Sequence, residues 1–217
     1  MSKNEQKNGK HTVPYTQQQL SHAIDQLKQG IQREQVLPLL ETVLSQLQSL
    51  NSHDHLTGVF NRRTVLERLD SELQRSMRTG HTFTFAVLSV DGLPEVMEIY
   101  GQEITKQVLQ VVAQQAGLVL RNLDSFGRIA ATEFAIVMPT TWLDQSLKAI
   151  NRLKLKIQHY DWDTLAQGLK VSFSTGITAN APKDTTELML ARALHALEMA
   201  RTKGHDQIVQ IEADLPS

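Results

Sequence analysis

The chain has 217 residues, 41% of them hydrophobic, which suits one domain of ordinary size plus an appendage. A formal net charge of −1 with mixed signs gives no general pull toward nucleic acid or anionic membrane, and the absence of cysteine excludes disulfides and thiolate metal sites. No apolar run approaches the ~20 residues that span a bilayer, and the polar start M-S-K-N-E-Q-K-N-G-K-H lacks a signal-peptide core, so a cytoplasmic protein without membrane insertion is expected.

Residues 1–14 are polar and read as a disordered tail. From residue 15 the pattern becomes helical. Leu20, Ile24, Leu27 and Ile31 form one apolar stripe, and Leu37, Leu40, Leu44 and Leu47 form a second. Pro38 fits the first turn of the second helix. This helical segment, residues 15–51, is expected either to pack on its own domain or to pair with a second chain.

From residue 52 to the C-terminus helices and strands alternate. Leu66, Leu69, Leu73 and Met77 line a helix. T-F-T-F-A-V-L-S-V, residues 82–90, is apolar on both faces, as a central strand would be. Ile104, Val108, Val111, Val112, Leu118 and Val119 mark a second helix. Arg128–Ala131 and Glu133–Met138 read as two strands meeting at the turn Ala130-Ala131-Thr132. Hairpin turns of that tightness usually take positive φ, which alanine reaches only at ~1–2 kcal/mol, so a turn without glycine raises a question. Leu143, Leu147, Ile150, Leu153 and Ile157 mark a third helix. Leu169, Val171, Phe173 and Ile177 alternate with polar neighbours, which predicts a strand with one wetter face. A last helix carries Leu190, Leu194 and Leu197, with Gly204 as its C-cap, and Ile208–Ile211 closes the sheet. The adjacent strands at 126–139 require a partly antiparallel sheet, so the fold class is α+β, a mixed sheet flanked by helices.

Four segments in this order resemble a known family. D-H-L-T-G-V-F-N-R-R (54–63) is similar to the D-x-L-T-G-L-x-N-R-R opening of GGDEF domains, the diguanylate cyclases. V-L-S-V-D-G-L-P-E-V-M-E-I-Y-G (87–101) stands where that family has a strand ending D-x-D, followed by F-K-x-I-N-D-x-Y-G-H. R-I-A-A-T-E-F-A-I-V-M-P stands where it reads R-x-G-G-D-E-F-A-x-x-x-P, and A-R-A-L-H-A-L-E-M-A-R-T-K-G-H-D resembles its closing helix and turn. The resemblance covers residues 52–212 and implies a nucleotidyl-cyclase-like mixed sheet with an N-terminal helical extension. On this reading Ala130, Ala131, Thr132, Glu133 and Phe134 are a degenerate form of the namesake signature.

Active members of the family condense two GTP into cyclic di-GMP with a divalent cation held by carboxylates. The resemblance assigns those carboxylate positions to Ser89 and Thr132, which carry neutral hydroxyls, while Asp91 and Glu133 survive nearby. It assigns the guanine-reading Asn and Asp to Met97 and Lys106, neither of which reproduces the required donors and acceptors. A lysine position falls at Pro94, and the phosphate-contacting Lys and Arg fall at Arg201 and His205. The expectation is a non-enzyme with no catalytic residue, no metal and no cofactor.

R-N-L-D, residues 121–124, ends five residues before the signature turn, where the family has an R-x-x-D site for cyclic di-GMP. Arg152 falls where the family often adds a second arginine. Arginine's planar fork binds phosphate and stacks on guanine, and Asp124 can accept from a guanine edge. The bland alternative makes Arg121 a helix C-terminal cation and Asp124 a turn residue. His53 and His55 flank Asp54 without an evident third ligand, so a solvated linker is expected there. Trp142 and Trp162 read as helix-end packing residues. Three functional readings stay open: a cyclic di-GMP receptor using Arg121, Asp124 and Arg152; a protein-interaction module working as a homodimer or with a partner protein through its N-terminal helices; and a weak cyclase with a rearranged site.

Overall fold

The computed structural model describes residues 52–213, together with Asp25, Leu37, Pro38 and Leu40, which are helical. The tail 1–14 and the rest of the two leucine stripes lie outside the described residues. The chain divides into two units between Ser52 and His53, and the second unit holds the whole sheet.

D-H-L-T-G opens that unit with a closed turn. The Asp54 carboxylate accepts from the Thr57 backbone N–H at 2.9 Å and its hydroxyl at 2.6 Å, and Gly58 supplies the positive φ (72°) that lets the chain reverse. A two-residue strand β1 (Phe60–Asn61) leads directly into α1 (Arg62–Thr79). Asn61 is the N-cap, its side chain accepting from Thr64 N–H at 2.9 Å, and Gly80 closes the helix in the left-handed conformation.

The sheet has the order β1-β3-β4-β2-β5-β6. Its centre is β2 (Thr84–Val90), paired antiparallel with β4 (Glu133–Met138) and β5 (Phe173–Ala179). β3 (Ser125–Arg128) runs antiparallel to β4, while β1 and β6 (Ile208–Gln210) are added parallel at the two edges. The mixed α+β architecture is therefore as expected. Every residue of β2 is buried because both faces are covered. Ala86 and Leu88 face one core with Val108 and Val112 of α2 (Leu93–Val119) and Ile150, Leu153 and Ile157 of α3 (Leu143–Gln158). Phe85 and Val87 face the other, with Val65 and Leu69 of α1 and Met189, Ala193 and Leu197 of α4 (Thr186–Thr202).

Several expectations are corrected. The helix expected over 104–119 is present, but α2 also has an earlier segment from Leu93 that the apolar stripe does not mark, the two joined at Gly101, whose φ of 84° and ψ of 173° break the helical path. β5 has no wet face: Ser174 and Thr178, which share the face of Gly176, are fully buried because α4 lies directly over that side of the strand, and Thr175 is buried on the opposite face beside Phe173 and Ile177. The approach of α4 is so close that a Cβ on Gly176 would stand 2.1 Å from the Ala193 carbonyl oxygen and 2.2 Å from the Leu197 nitrogen. Leu169 and Val171 are buried but precede the strand. Met77 and Leu118 are exposed, since each sits at the end of its helix where the stripe has left the core. Trp162 is buried, donating its indole N–H to the Ile157 carbonyl at 2.7 Å, whereas Trp142 is exposed at the N-cap of α3. The last helix ends at Thr202 with Lys203 as C-cap, and Gly204 follows it.

Candidate functional site

Two places gather the residues singled out in the sequence. The first is the turn between β3 and β4. Among the described residues only Thr140, Lys183 and Asp206 are non-glycines at positive φ, so Ala130, Ala131 and Thr132 turn the chain without left-handed backbone. The strain expected of alanine there is absent. The turn is instead closed by hydrogen bonds: Ile129 and Ala130 N–H both donate to the Glu133 carbonyl, at 2.9 and 3.2 Å, and Val90 N–H donates to the Thr132 carbonyl at 3.1 Å. Arg128, to which the sequence assigned no role, is the clamp. Its Nη2 donates to the Ala131 carbonyl at 2.6 Å while Nη1 lies 3.4 Å from the Asp54 carboxylate. β3 also ends at Arg128 and not at Ala131.

Burial pushes the Asp54 carboxyl upward, but the two bonds from Thr57 and the charge of Arg128 outweigh it and hold the group below its ordinary value.

Behind the turn lies a cavity of about 330 Å³ lined by Ser89, Val90, Asp91, Gly92, Pro94, Thr132, Arg201 and His205. Ser89 and Glu133 are directly opposite in the β2–β4 register, so their side chains share one face. Arg201 reaches over them from the last turn of α4: its Nη2 donates to Ser89 Oγ at 2.7 Å and to Glu133 Oε1 at 3.0 Å. Asp91 is used within the fold, accepting from the Ser172 hydroxyl at 2.7 Å and the Asp206 N–H at 2.9 Å. Met97 is half-exposed and Lys106 lies 3.6 Å from the Glu103 carboxylate; neither lines the cavity.

The divalent cation that the resemblance implies does not fit this donor set. Hard cations take several carboxylate oxygens, and here Ser89 offers only a hydroxyl, Glu133 is already bonded to a guanidinium, and the Asp91 carboxylate that lines the cavity already accepts from Ser172 and Asp206. Among the described residues no three His, Cys, Asp or Glu side chains are gathered to hold an ion. His53 makes a strand-like bridge with Phe60 and packs its ring against it, with centroids 5.1 Å apart.

The second place is the loop after α2. Asp124 Oδ2 accepts the Arg121 backbone N–H at 2.8 Å, and Asp124 N–H returns to the Arg121 carbonyl at 3.0 Å, which makes R-N-L-D a closed turn just beyond the helix C-terminus. Burial raises the Asp124 carboxyl above its ordinary value, against the Arg121 N–H and the charges of Arg121 and Arg152, which pull it down. Arg152 is thus brought within electrostatic range of a turn nearly thirty residues away in sequence. Neither guanidinium enters a hydrogen bond or close ion pair among the described residues. Arg152 also lines a groove of about 540 Å³ with Leu118, Val119, Leu155, Lys156 and His159.

Residues 51–207 match the model of the diguanylate cyclase GGDEF domain. Diguanylate cyclase DgcP of Pseudomonas aeruginosa is 30% identical over 155 residues, covering 71% of this chain and 23% of that protein. Response regulator PleD of Caulobacter vibrioides is 29% identical over 200 residues, covering 90% of this chain and 43% of that protein. The chain therefore spans less than half the length of either. The structure of diguanylate cyclase SiaD in complex with its activator SiaC, from Pseudomonas aeruginosa, superposes with a TM-score of 0.70 at 28% identity, over 91% of this chain and 79% of that one. With a mixed sheet of the same design and a family match over most of its length, the chain belongs to the GGDEF family of diguanylate cyclase domains.

Proposed function

We propose that this GGDEF domain is a non-catalytic signalling domain that binds cyclic di-GMP through Arg121, Asp124 and Arg152. The observation that supports the reading is that the charges of Arg121 and Arg152 both act on the Asp124 carboxylate, while neither guanidinium enters a hydrogen bond or close ion pair among the described residues. Two planar cations beside a carboxylate complement a ligand made of two phosphates and two guanines. The non-catalytic half of the reading is supported by the hydroxyls at Ser89 and Thr132, by Arg201 bonded across Ser89 and Glu133, and by the absence of Met97 and Lys106 from the cavity lining. Calorimetry of the full chain tests it: cyclic di-GMP binds, GTP with Mg²⁺ gives no heat, and chromatography detects no cyclic di-GMP made from GTP. Turnover abolished by Glu133→Ala would return the domain to the cyclases.

A second reading is supported by one comparison. The likeness to SiaD, a protein solved with its activator bound, extends over 91% of this chain. On that reading the N-terminal leucine stripes hold a second copy or a partner protein, and nucleotide plays no part. Silence of the calorimeter toward cyclic di-GMP, together with a dimer by light scattering, selects it.

A further inference from the structure

We propose that Arg201 is the resident cation of the cleft behind the β3–β4 turn, a fixed guanidinium in the place of an exchangeable divalent ion. Arg201 has this part whether or not a ligand binds at Arg121.

Three observations carry it. First, Ser89 and Glu133 are register partners on antiparallel strands, so whatever neutralises one lies against the other. Second, a single nitrogen, Arg201 Nη2, is within hydrogen-bond distance of both, at 2.7 and 3.0 Å, which puts positive charge on the axis between them. Third, Ser89 is buried (3% exposed), and its hydroxyl accepts from that same nitrogen. A buried hydroxyl facing a carboxylate needs a partner, and the guanidinium serves both at once.

Arginine is suited to the role because it stays charged at every accessible pH and offers five donors in a rigid fork. Arg201 Nη1 lies 3.8 Å from Glu198 on the same helix, so the guanidinium is held from a second side. With the Glu133 charge already balanced, an incoming divalent ion meets a like charge and displaces two hydrogen bonds. The chemistry predicts a cleft indifferent to Mg²⁺ and Mn²⁺ for a reason that adding one carboxylate does not reverse: Arg201 takes the new carboxylate as well.

The test is titration of the full chain with Mn²⁺, read by electron paramagnetic resonance, so that turnover is not required. Wild type and Ser89→Asp are expected to leave Mn²⁺ free, whereas Ser89→Asp combined with Arg201→Ala binds it at least ~10-fold more tightly than Ser89→Asp alone. Arg201→Lys in the Ser89→Asp background restores exclusion. Equal affinity in Ser89→Asp and the double variant, or no binding by the double variant, overturns the proposal, since either means that the guanidinium is not what decides. Because the double variant removes a packed side chain, nuclear magnetic resonance of the wild-type arginine side chains supplies an independent reading. The Arg201 Nη signals are expected to show slowed rotation, unchanged by millimolar Mg²⁺; their release on adding Mg²⁺ overturns the proposal without any substitution.

Discussion

Gly176→Ala probes the tightest contact of the fold. The new Cβ would stand 2.1 Å from the Ala193 oxygen, 2.2 Å from the Leu197 nitrogen and 2.8 Å from the Ala196 carbonyl carbon, all backbone atoms of α4. No side chain can rotate away, so the helix must lift off β5. Over-packing of a core costs roughly 1–3 kcal/mol, and a backbone obstacle places this case at the upper end. Replacing glycine also stiffens the unfolded chain, which returns about 0.4–1 kcal/mol. The net expectation is destabilisation by about 2 kcal/mol, or a fall in Tm of about 4–8 °C for a domain of this size. Gly117→Ala is the control: it lies in α2, and a Cβ there meets nothing within 4 Å. It should stabilise by about 0.5–1 kcal/mol. Urea unfolding by far-ultraviolet circular dichroism, with midpoints compared at constant m-value, reads both. If Gly176→Ala matches wild type, α4 is not seated on β5 as described and the reasoning fails.

Arg121→Ala should weaken cyclic di-GMP binding by about ten- to a hundredfold, the loss of one set of charge-assisted bonds, while Thr132→Ala leaves the affinity unchanged. Calorimetry decides, and the reverse ranking moves the ligand to the turn. Asp54 should shape the acid limb of stability: its folded pKa lies below the unfolded value, so its contribution is complete above the ordinary carboxylate range and is lost as pH falls through the folded value. Asp54→Asn should flatten that limb, and an unchanged slope below pH ~4 refutes the assignment. Asp124 carries the opposite sign, because its folded pKa is raised: stability falls as pH rises through the interval just above the ordinary value of 3.8, and Asp124→Asn removes that slope. A titration in which both variants alter the same limb in the same direction contradicts the two local environments.

Where a residue's surroundings come from its own segment, the sequence told the truth. The apolar run at β2 meant burial on both faces, and the stripe at Leu69 and Leu73 marked the buried side of α1. Where surroundings come from afar, it misled. Ser174 and Thr178 looked wet because hydroxyls usually are, yet α4 covers their face of β5. The turn at Ala130 looked strained because its shape was judged from three residues, while Arg128 and Asp54 set it from outside. The bond from Arg201 to Ser89 spans 112 positions and leaves no periodic trace in the chain. Arg121 and Asp124 were legible as a tetrapeptide at the offset of the family's R-x-x-D, but only the packing of α3 brings the charge of Arg152 to Asp124.

Arg128 is a rigid lever with a load at each end. One nitrogen of its guanidinium holds the first turn of the domain at Asp54, two residues past the division of the chain, and the other holds the β3–β4 turn at Ala131. The group is planar, so its two ends cannot reorient separately. Displacing the backbone at Asp54 therefore tilts the plane and loosens the turn, and disturbing the turn slackens Asp54 by the same free energy, since such coupling is reciprocal. A pull at the start of the domain is felt some seventy residues away through one side chain.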